Sequence, residues 1–274
     1  MRQTQSILFI AIDSIIPVRG KAVSGFDEFC AALDHNGIPS VWVTSRSRLQ
    51  IDEPRRRFGH GSPFIAEDGC AVYLPEDYFH LKPTTKTVRL GRFTTIPIAQ
   101  ILPAAKDALD SLSEETEVEV VPLRTLSPRE LTQNTGLPQR EAELARQRDF
   151  DELFFFAGAA ESDVARFQNA AAEQKIALRQ HGVMWSAAVG ANLGQCVRDL
   201  IKLYERALRS HPSIIGIAGT NEAASLLPVC DRGIVLARHP EMESAAQKHT
   251  KARILGMFDE NVWEQILEAV TTRR

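Results

Sequence analysis

The strongest constraint on the fold of this chain is an uninterrupted apolar run at residues 7–12, which ends at the carboxylate of Asp13. A strand that is apolar at every position is buried on both faces, as strands inside parallel sheets are. Similar short runs, such as residues 40–44, alternate along the chain with segments of helical periodicity. This alternation predicts an α/β protein built on a layered sheet.

Capping and turn residues place several of the helices. The first helix is predicted to begin at Ser24 and to end before Gly37, because a glycine commonly follows a helix terminus. Ser127, with Glu130 three residues later, forms a capping box at the start of another helix. Asn192 is predicted to cap a long amphipathic helix.

The middle of the chain differs from its two ends. Residues 83–182 contain two successive half-units of short strands and a helix, whereas the flanking segments alternate buried strands with helices. We therefore predict a doubly wound parallel sheet core formed by residues 1–82 and 183–274. Residues 83–182 are predicted to form an α+β cap domain inserted into that core. A chain of 274 residues is long enough to bury both parts.

The overall composition argues against several classes of function. A formal net charge of −3 gives no broad attraction to nucleic acid or to anionic lipid. No apolar stretch reaches membrane-spanning length, and the start lacks the pattern of a signal peptide, so no membrane association is expected. The densest basic run, residues 55–57, is predicted to be a solvated loop or helix end.

The four cysteines, Cys30, Cys70, Cys196 and Cys230, are scattered among apolar neighbours. They form no CxxC pair and have no histidine at ligand spacing, so buried thiols are favoured over a metal site or disulfides. Reduced cysteines lead us to expect a cytoplasmic location.

Three stretches carry a resemblance to a known family. Residues 63–69, Pro-Phe-Ile-Ala-Glu-Asp-Gly, resemble the PFISENG stretch of the mannosyl-3-phosphoglycerate phosphatases, a branch of the haloacid dehalogenase (HAD) superfamily. The TGLP run at residues 135–138 and the RQRDFDE run at residues 146–152 are similar to two further runs of that branch. The resemblance spans nearly the whole chain. It implies a HAD-like core with an inserted C2-type cap and phosphomonoester hydrolysis as the family activity.

That activity, as the resemblance implies it, depends on four kinds of group. An aspartate attacks phosphorus, and a second aspartate two residues later protonates the leaving oxygen. A serine or threonine holds the phosphoryl group, and a lysine neutralises charge. Acidic residues on a later loop hold Mg²⁺, which prefers carboxylate oxygens. Positioning and electrostatic stabilisation supply most of the rate in such a reaction.

This sequence departs from the family pattern at most of those positions. Asp13 keeps the acid/base position, either as a vestigial acid/base or only as a strand-end residue that caps the following loop, but the nucleophile position two residues earlier is an alanine. Glu222 is the only carboxylate in the magnesium loop, so Asp13 and Glu222 form at best a weak metal site. The degenerate positions are Ala11, Ile15, Leu193, Thr220, Ala223 and Ala224.

Several residues remain candidates for binding a ligand. The predicted contacts to a phosphate or to the rest of a ligand are Ser45, Arg46, Arg48, Glu67, Asp68, Gly69 and Arg148. A serine hydroxyl, loop amides and guanidinium groups together suit a phosphate. The alternatives are a turn with solvated arginines at residues 45–48, a positive-φ turn at residues 67–69 and an exposed arginine at the end of a helix. His181 is interpreted as structural.

Three functional hypotheses follow, of which a protein without catalytic activity is favoured. The first is a pseudophosphatase that needs no cofactor and binds a phosphorylated sugar or glycerate ligand, or a protein partner. Loss of a nucleophile alone costs on the order of 10⁶ in rate. The alternative is a Mg²⁺-dependent sugar-phosphate phosphatase or hydrolase in which Asp13 or Glu222 activates water. The third is a structural or regulatory subunit that docks a partner through its cap.

Overall fold

The structure, a computed structural model, describes residues 6–239, 241 and 252–271. Within these residues, nine strands form one large mixed sheet and four strands form a smaller antiparallel sheet. The strands are β1 (Ser6–Ala11), β2 (Ser40–Val43), β3 (Phe64–Ala66), β4 (Ala71–Pro75), β5 (Val88–Leu90), β6 (Phe93–Pro97), β7 (Val120–Pro122), β8 (Glu152–Phe156), β9 (Ile176–His181), β10 (Met184–Val189), β11 (Ser213–Gly219), β12 (Arg232–Ala237) and β13 (Arg253–Gly256).

Helices pack against both sheets. The described α-helices are α1 (Phe26–His35), α2 (Arg48–Arg57), α3 (Leu102–Thr116), α4 (Pro128–Thr135), α5 (Gln139–Ala145), α6 (Glu161–Glu173), α7 (Leu193–Leu208), α8 (Thr220–Leu226) and α9 (Val262–Thr271). Short 3-10 turns lie at Glu67–Gly69, Leu123–Thr125 and Leu227–Val229.

The large sheet is parallel through its centre, in the order β13-β12-β11-β1-β2-β3, and continues as antiparallel β4-β6-β5. Four successive residues of β1, Ile7, Leu8, Phe9 and Ile10, are each 0% exposed. Their side chains alternate between two apolar clusters, one shared with α1 and α9 and the other shared with α7 and α8. The predicted core with helices on both faces is therefore confirmed.

The smaller sheet has the order β7-β8-β10-β9 and forms the cap. Helices α3 and α6 pack on one face around Phe154 and Phe167, which are both fully buried. Helices α4 and α5 pack on the other side of β8, around Leu131 and Leu153. We call the part of this face formed by β9 the open face of the cap, because no described residue of β9 belongs to the cluster around Leu131.

The boundaries of the cap differ from those expected from the sequence. Strands β5 and β6 fall inside the predicted cap, yet they extend the large sheet, because β6 pairs with β4 over five residues. Strand β10 falls in the predicted core, yet it pairs with β9 over six residues of the small sheet. The cap therefore runs from α3 to β10, and the first strand that returns to the large sheet is β11.

The helix termini follow the capping chemistry in two places and depart from it in a third. Ser127 and Asn192 both cap their helices, and Ser127 forms the full capping box with Glu130. Helix α1 begins at Phe26 with Gly25 as its cap instead of Ser24. The backbone carbonyl of Ser24 instead accepts a hydrogen bond of 2.7 Å from the indole of Trp263 in α9.

The expectation that the basic run at residues 55–57 is solvated is wrong for its first member, which is buried. Arg55 is 4% exposed, and its guanidinium lies 4.4 Å from the centre of the Phe64 ring. It donates hydrogen bonds to His60 Nδ1 at 3.1 Å and to the carbonyl of Ser62 at 2.7 Å. The run forms the last turn of α2. The helix orients Arg55 towards the sheet and leaves Arg56 and Arg57 exposed.

All four cysteines are free thiols. Cys30, Cys70 and Cys196 are buried, as predicted, while Cys230 is half-buried. Burial raises the pKa of the Cys30 thiol to about 12, with the nearby Asp34 adding to the effect, so this thiol stays protonated at neutral pH. None of the described helices is both long and apolar enough to cross a membrane.

One glycine fixes the approach of α7 to the sheet. Gly69 has a φ of +90°, and a Cβ atom there would lie 2.6 Å from both the backbone nitrogen and the Cα of Leu193. Its carbonyl accepts hydrogen bonds from the Asn192 amide at 3.1 Å and from the Cys196 thiol at 3.2 Å. The start of α7 is therefore held directly against the turn that follows β3.

We expect Gly69→Ala to lower the free energy of unfolding by about 3 kcal/mol or more, because it combines a left-handed backbone with a backbone clash. Gly37→Ala is the matched control, since Gly37 has a φ of +62° but nothing within 4 Å of the added Cβ. It should cost only about 1 kcal/mol. Urea unfolding of both variants measures the difference, and equal costs would contradict the close approach of α7.

Candidate functional site

The candidate site lies at the carboxyl edge of the large sheet, where β1, β2 and β11 end. Parallel sheets commonly bind their ligands at this edge. Ala11 is the last residue of β1 and is 2% exposed. Its methyl group belongs to the apolar cluster on the α7 side of the sheet. A methyl group offers neither a lone pair for attack nor an oxygen for a metal ion.

Asp13 is held by four donors from the loop that follows β2. The Thr44 hydroxyl donates to Oδ1 at 2.5 Å, and Arg46 Nε donates to the same oxygen at 3.2 Å. The backbone amide and the hydroxyl of Ser45 each donate to Oδ2 at 2.7 Å. A carboxylate has about four acceptor positions, so the protein itself fills the capacity of Asp13.

These contacts set the charge of Asp13. Burial works against the ionised form, but the guanidinium of Arg46 and the hydrogen bonds from Thr44 and Ser45 outweigh it and lower the pKa of Asp13. Asp13 is therefore ionised at neutral pH, and its charge is already compensated. A carboxylate with a lowered pKa is a weak general base.

Arg46 and Arg48, which were predicted to bind a phosphate, both form ion pairs with carboxylates of the protein. Arg46 pairs with Asp13 and also donates to the carbonyl of Ile16. Arg48 pairs with Asp149 of the cap at 2.9 Å, and Tyr73 donates to the same carboxylate at 2.9 Å. These ion pairs were not predicted, because Asp13 and Asp149 lie far from their arginine partners in the sequence.

Arg148, which the resemblance implied as a ligand contact, bridges the cap to the core. Its side chain is 3% exposed and forms an ion pair with Asp151, whose side chain is 1% exposed. The same guanidinium donates to the carbonyl of Ser45 at 2.6 Å. Arg148 therefore supports the loop that holds Asp13 from the side of the cap.

Glu67 is also an interdomain residue. It is 0% exposed and accepts hydrogen bonds from the backbone amides of Asp149, Phe150 and Asp151 at 3.0, 2.8 and 3.1 Å. Burial, followed by the charge of Asp151, raises the pKa of Glu67 to about 8, although Arg148 and the amides oppose that shift. We call Arg48, Glu67, Arg148, Asp149 and Asp151 the cap–core latch.

Asp68 makes a further contact between the domains. It adopts a left-handed conformation with a φ of +54°, and its Oδ2 lies 2.9 Å from Nε2 of His181 in β9. The same ring nitrogen lies 3.2 Å from the Ser186 hydroxyl. A serine–histidine–aspartate relay needs both ring nitrogens, so these residues do not form one. Burial opposes protonation of His181, but Asp68 outweighs it and raises the pKa of the imidazole.

The open face of the cap carries a polar patch that the sequence did not reveal. Ile176 and Leu178 of β9 belong to the cluster with α3 and α6, so the alternate residues Arg179 and His181 occupy the opposite face. Ser186 pairs in register with Arg179 on that face. The contact of His181 with Asp68 shows that the face is turned towards the core. Arg179 is exposed and forms no ion pair with any described residue.

The predicted metal ligands do not assemble a magnesium site of the family type. Glu222 is half-buried near the start of α8, where burial and the charge of Asp13 raise its pKa. The Ala11 side chain supplies no oxygen, and both carboxylate oxygens of Asp13 accept hydrogen bonds from protein donors. In the part of the chain that the structure describes, no group of three or more His, Cys, Asp or Glu side chains could hold a metal ion.

The remaining degenerate positions lie in the core cluster, at the start of α7 and in α8. Ile15 is 0% exposed and belongs to the core cluster on the α1 side. Leu193, expected where the family has lysine, is the first residue of α7 and packs against the other cluster. Thr220, Ala223 and Ala224 all lie in α8, beside Glu222.

Comparison with named proteins finds phosphatases. No family model matches the chain. A glucosyl-3-phosphoglycerate/mannosyl-3-phosphoglycerate phosphatase of Persephonella marina is 24% identical over 203 residues, which cover 73% of this chain and 72% of that protein. A mannosyl-3-phosphoglycerate phosphatase of Pyrococcus furiosus is 26% identical over 123 residues, or 45% of this chain and 49% of that protein.

Solved structures with the same fold cover almost the whole chain. A HAD-superfamily phosphatase from Bacteroides thetaiotaomicron matches with a TM-score of 0.64 at 15% identity, over 97% of this chain and 95% of that chain. A sugar phosphatase of HAD subclass IIB matches with a TM-score of 0.62 at 13% identity, over 96% and 98% of the two chains. These matches confirm the predicted α/β fold with a cap.

We expect Arg148→Ala to lower the free energy of unfolding by about 3–5 kcal/mol, because it leaves Asp151 buried without its partner. The matched control is Arg89→Ala, which removes an arginine from an ion pair with Glu76 in which both side chains are more than half exposed. That change should cost at most about 1 kcal/mol. Urea unfolding provides the measurement, and a small loss for Arg148→Ala would contradict the latch.

The contact between Asp68 and His181 should depend on pH. Because the folded pKa of His181 is raised above its ordinary value of 6.5, the stability it adds is fully present below that value and is lost as the pH rises through the folded pKa. The stability difference between the wild type and His181→Gln should be larger at about pH 5.5 than at about pH 8.5. His80→Gln removes an exposed histidine and serves as the control. A difference that does not change with pH would argue against the contact.

Proposed function

We propose that this chain, which has the haloacid dehalogenase fold and is related to the mannosyl-3-phosphoglycerate phosphatases, is a pseudophosphatase. It binds a phosphorylated sugar acid between core and cap and does not hydrolyse it. The observation that carries the proposal is the state of the sheet edge. Ala11 presents a methyl group there, and each oxygen of Asp13 accepts two hydrogen bonds from the protein.

Covalent phosphoryl transfer starts when a carboxylate oxygen with a free lone pair attacks phosphorus. Ala11 has no such oxygen, and an attack by Asp13 would first require it to leave Thr44, Ser45 and Arg46. Charge-assisted hydrogen bonds of this kind contribute about 1.5–3 kcal/mol each, so leaving several of them together is costly. The lowered pKa of Asp13 also weakens it as a base that could activate water.

Two observations support the class of ligand. The relatives are named for glucosyl- and mannosyl-3-phosphoglycerate, molecules that carry both a phosphate and a carboxylate. Arg179 and His181 add positive charge to the face of the cap that is turned towards the core. Guanidinium and imidazolium groups bind such anions through charge-assisted hydrogen bonds.

A second candidate is a Mg²⁺-dependent sugar-phosphate phosphatase in which Asp13 or Glu222 activates water. The observation in its favour is topological. Glu222 lies in α8, directly after β11, and Asp13 follows β1; these two strands are paired, so both carboxyl groups follow the same edge of the sheet. Against it, the donors to Asp13 compensate its charge and lower its pKa, which weakens it as a general base.

Phosphate release separates the two candidates. With Mg²⁺ and mannosyl-3-phosphoglycerate or a generic aryl phosphate, we expect the wild type to release phosphate no faster than Asp13→Asn or buffer alone. Turnover by the wild type that needs Mg²⁺ and is lost in Asp13→Asn or in Glu222→Gln would support the hydrolase and refute the pseudophosphatase.

Thermal unfolding tests ligand binding in the same samples. Mannosyl-3-phosphoglycerate should raise the melting temperature, because a ligand that binds only the native state stabilises it by about 2.7 kcal/mol at 100 times its Kd. The sugar acid without its phosphate should have a smaller effect. Arg179→Ala should reduce the shift and Arg89→Ala should not, whereas an absence of any shift in the wild type would contradict the proposed ligand.

A further inference from the structure

We infer that Asp13 is an internal occupant of an anion site, so that the chain fills with its own carboxylate the place where an external oxyanion would bind. We call the donors Thr44 Oγ1, Ser45 N, Ser45 Oγ and Arg46 Nε the cradle. This inference rests on the proposed function, because it concerns the regulation of the same site. In this arrangement, Asp13 competes with phosphate for the cradle.

The cradle is suited to an oxyanion by the chemistry of its donors. It combines a backbone amide, two hydroxyl groups and a guanidinium, and all four donate to one carboxylate at 2.5–3.2 Å. Phosphate and sulfate are recognised by the same kinds of donor. Arg46 is 7% exposed and makes no ion pair with a described carboxylate other than Asp13, so the cradle carries a buried positive charge that requires an anion.

The backbone of the cradle is held in place by hydrogen bonds that do not involve Asp13. Along its backbone, the Thr44 amide donates to Ile65 at 3.0 Å, and the Thr44 carbonyl accepts from Asp68 at 3.2 Å. The carbonyl of Ser45 accepts from Arg148, as described above, and the carbonyl of Arg46 accepts from the Glu67 amide at 3.2 Å. Four backbone groups are thus fixed by β3, by the turn that follows it and by Arg148 of the latch. Removal of the Asp13 side chain should leave the donors in place.

Asp13 and a free anion compete for the same donors of the cradle. Asp13 is tethered to the end of β1, so its carboxylate acts at a high effective concentration that free phosphate must exceed. Inorganic phosphate has no further contacts with which to offset that advantage. A larger ligand that also reaches the cap has such contacts, and it can displace Asp13 where phosphate alone does not.

The test compares phosphate binding by the wild type and by Asp13→Ala, using titration calorimetry and thermal unfolding with inorganic phosphate. We expect Asp13→Ala to bind phosphate at least about tenfold more tightly than the wild type, as the freed donors become available. Sulfate should act similarly, and chloride at equal ionic strength should not. Ser45→Ala added to Asp13→Ala should weaken the binding again.

Asp149→Ala is the matched control, because it also removes a carboxylate from an arginine, Arg48, but leaves only the Tyr73 hydroxyl beside it and no converging backbone amide. It should not gain phosphate binding. If Asp13→Ala does not fold, Asp13→Asn removes the charge at almost constant volume and carries the same prediction. A folded Asp13 variant that binds phosphate no better than the wild type overturns the inference.

The two proposals can fail separately. Phosphate binding by the variants is measured without substrate or Mg²⁺, so turnover by the wild type would refute the pseudophosphatase and leave the internal anion in place. Conversely, if the variants do not gain phosphate binding, only the role of Asp13 as a competitor is lost.

Discussion

The contact between Asp13 and the loop of Thr44, Ser45 and Arg46 joins the ends of β1 and β2 and determines what the sheet edge can do. A buried guanidinium requires a compensating negative charge, and this chain supplies it from its own first strand. The same contact engages both carboxylate oxygens of Asp13. We propose a pseudophosphatase because Asp13 is used in this way and because Ala11 carries only a methyl group.

The cap–core latch extends this arrangement across the domain interface. Glu67 of the core receives three amides of the cap, and Arg148 of the cap supports the carbonyl of Ser45 beside Asp13. The residues that resemble the family motifs in the cap therefore have a structural role here, since they fix the cap over the sheet edge. Arg179, which is exposed, and His181, which contacts Asp68, lie on the face of the cap that is turned towards the core.

Most of the fold was predictable because local sequence patterns specify the strands and helices at its centre. The apolar run of β1, the capping box at Ser127 and the cap at Asn192 act over a few residues. The strands β6 and β10 were not predicted, and β5 was assigned to the cap, because the positions of these strands depend on pairing that no local pattern specifies. The site was less predictable still, since Arg48 and Asp149 lie 101 positions apart and no local pattern specifies which acid meets which arginine.

A crystal structure of the wild-type protein grown in concentrated inorganic phosphate would test the central claim most directly. Our account predicts that the Asp13 carboxylate lies on the Ser45 amide and hydroxyl and that no anion occupies the cradle. A phosphate bound to Ser45 and Arg46, with Asp13 turned away from them, would contradict it.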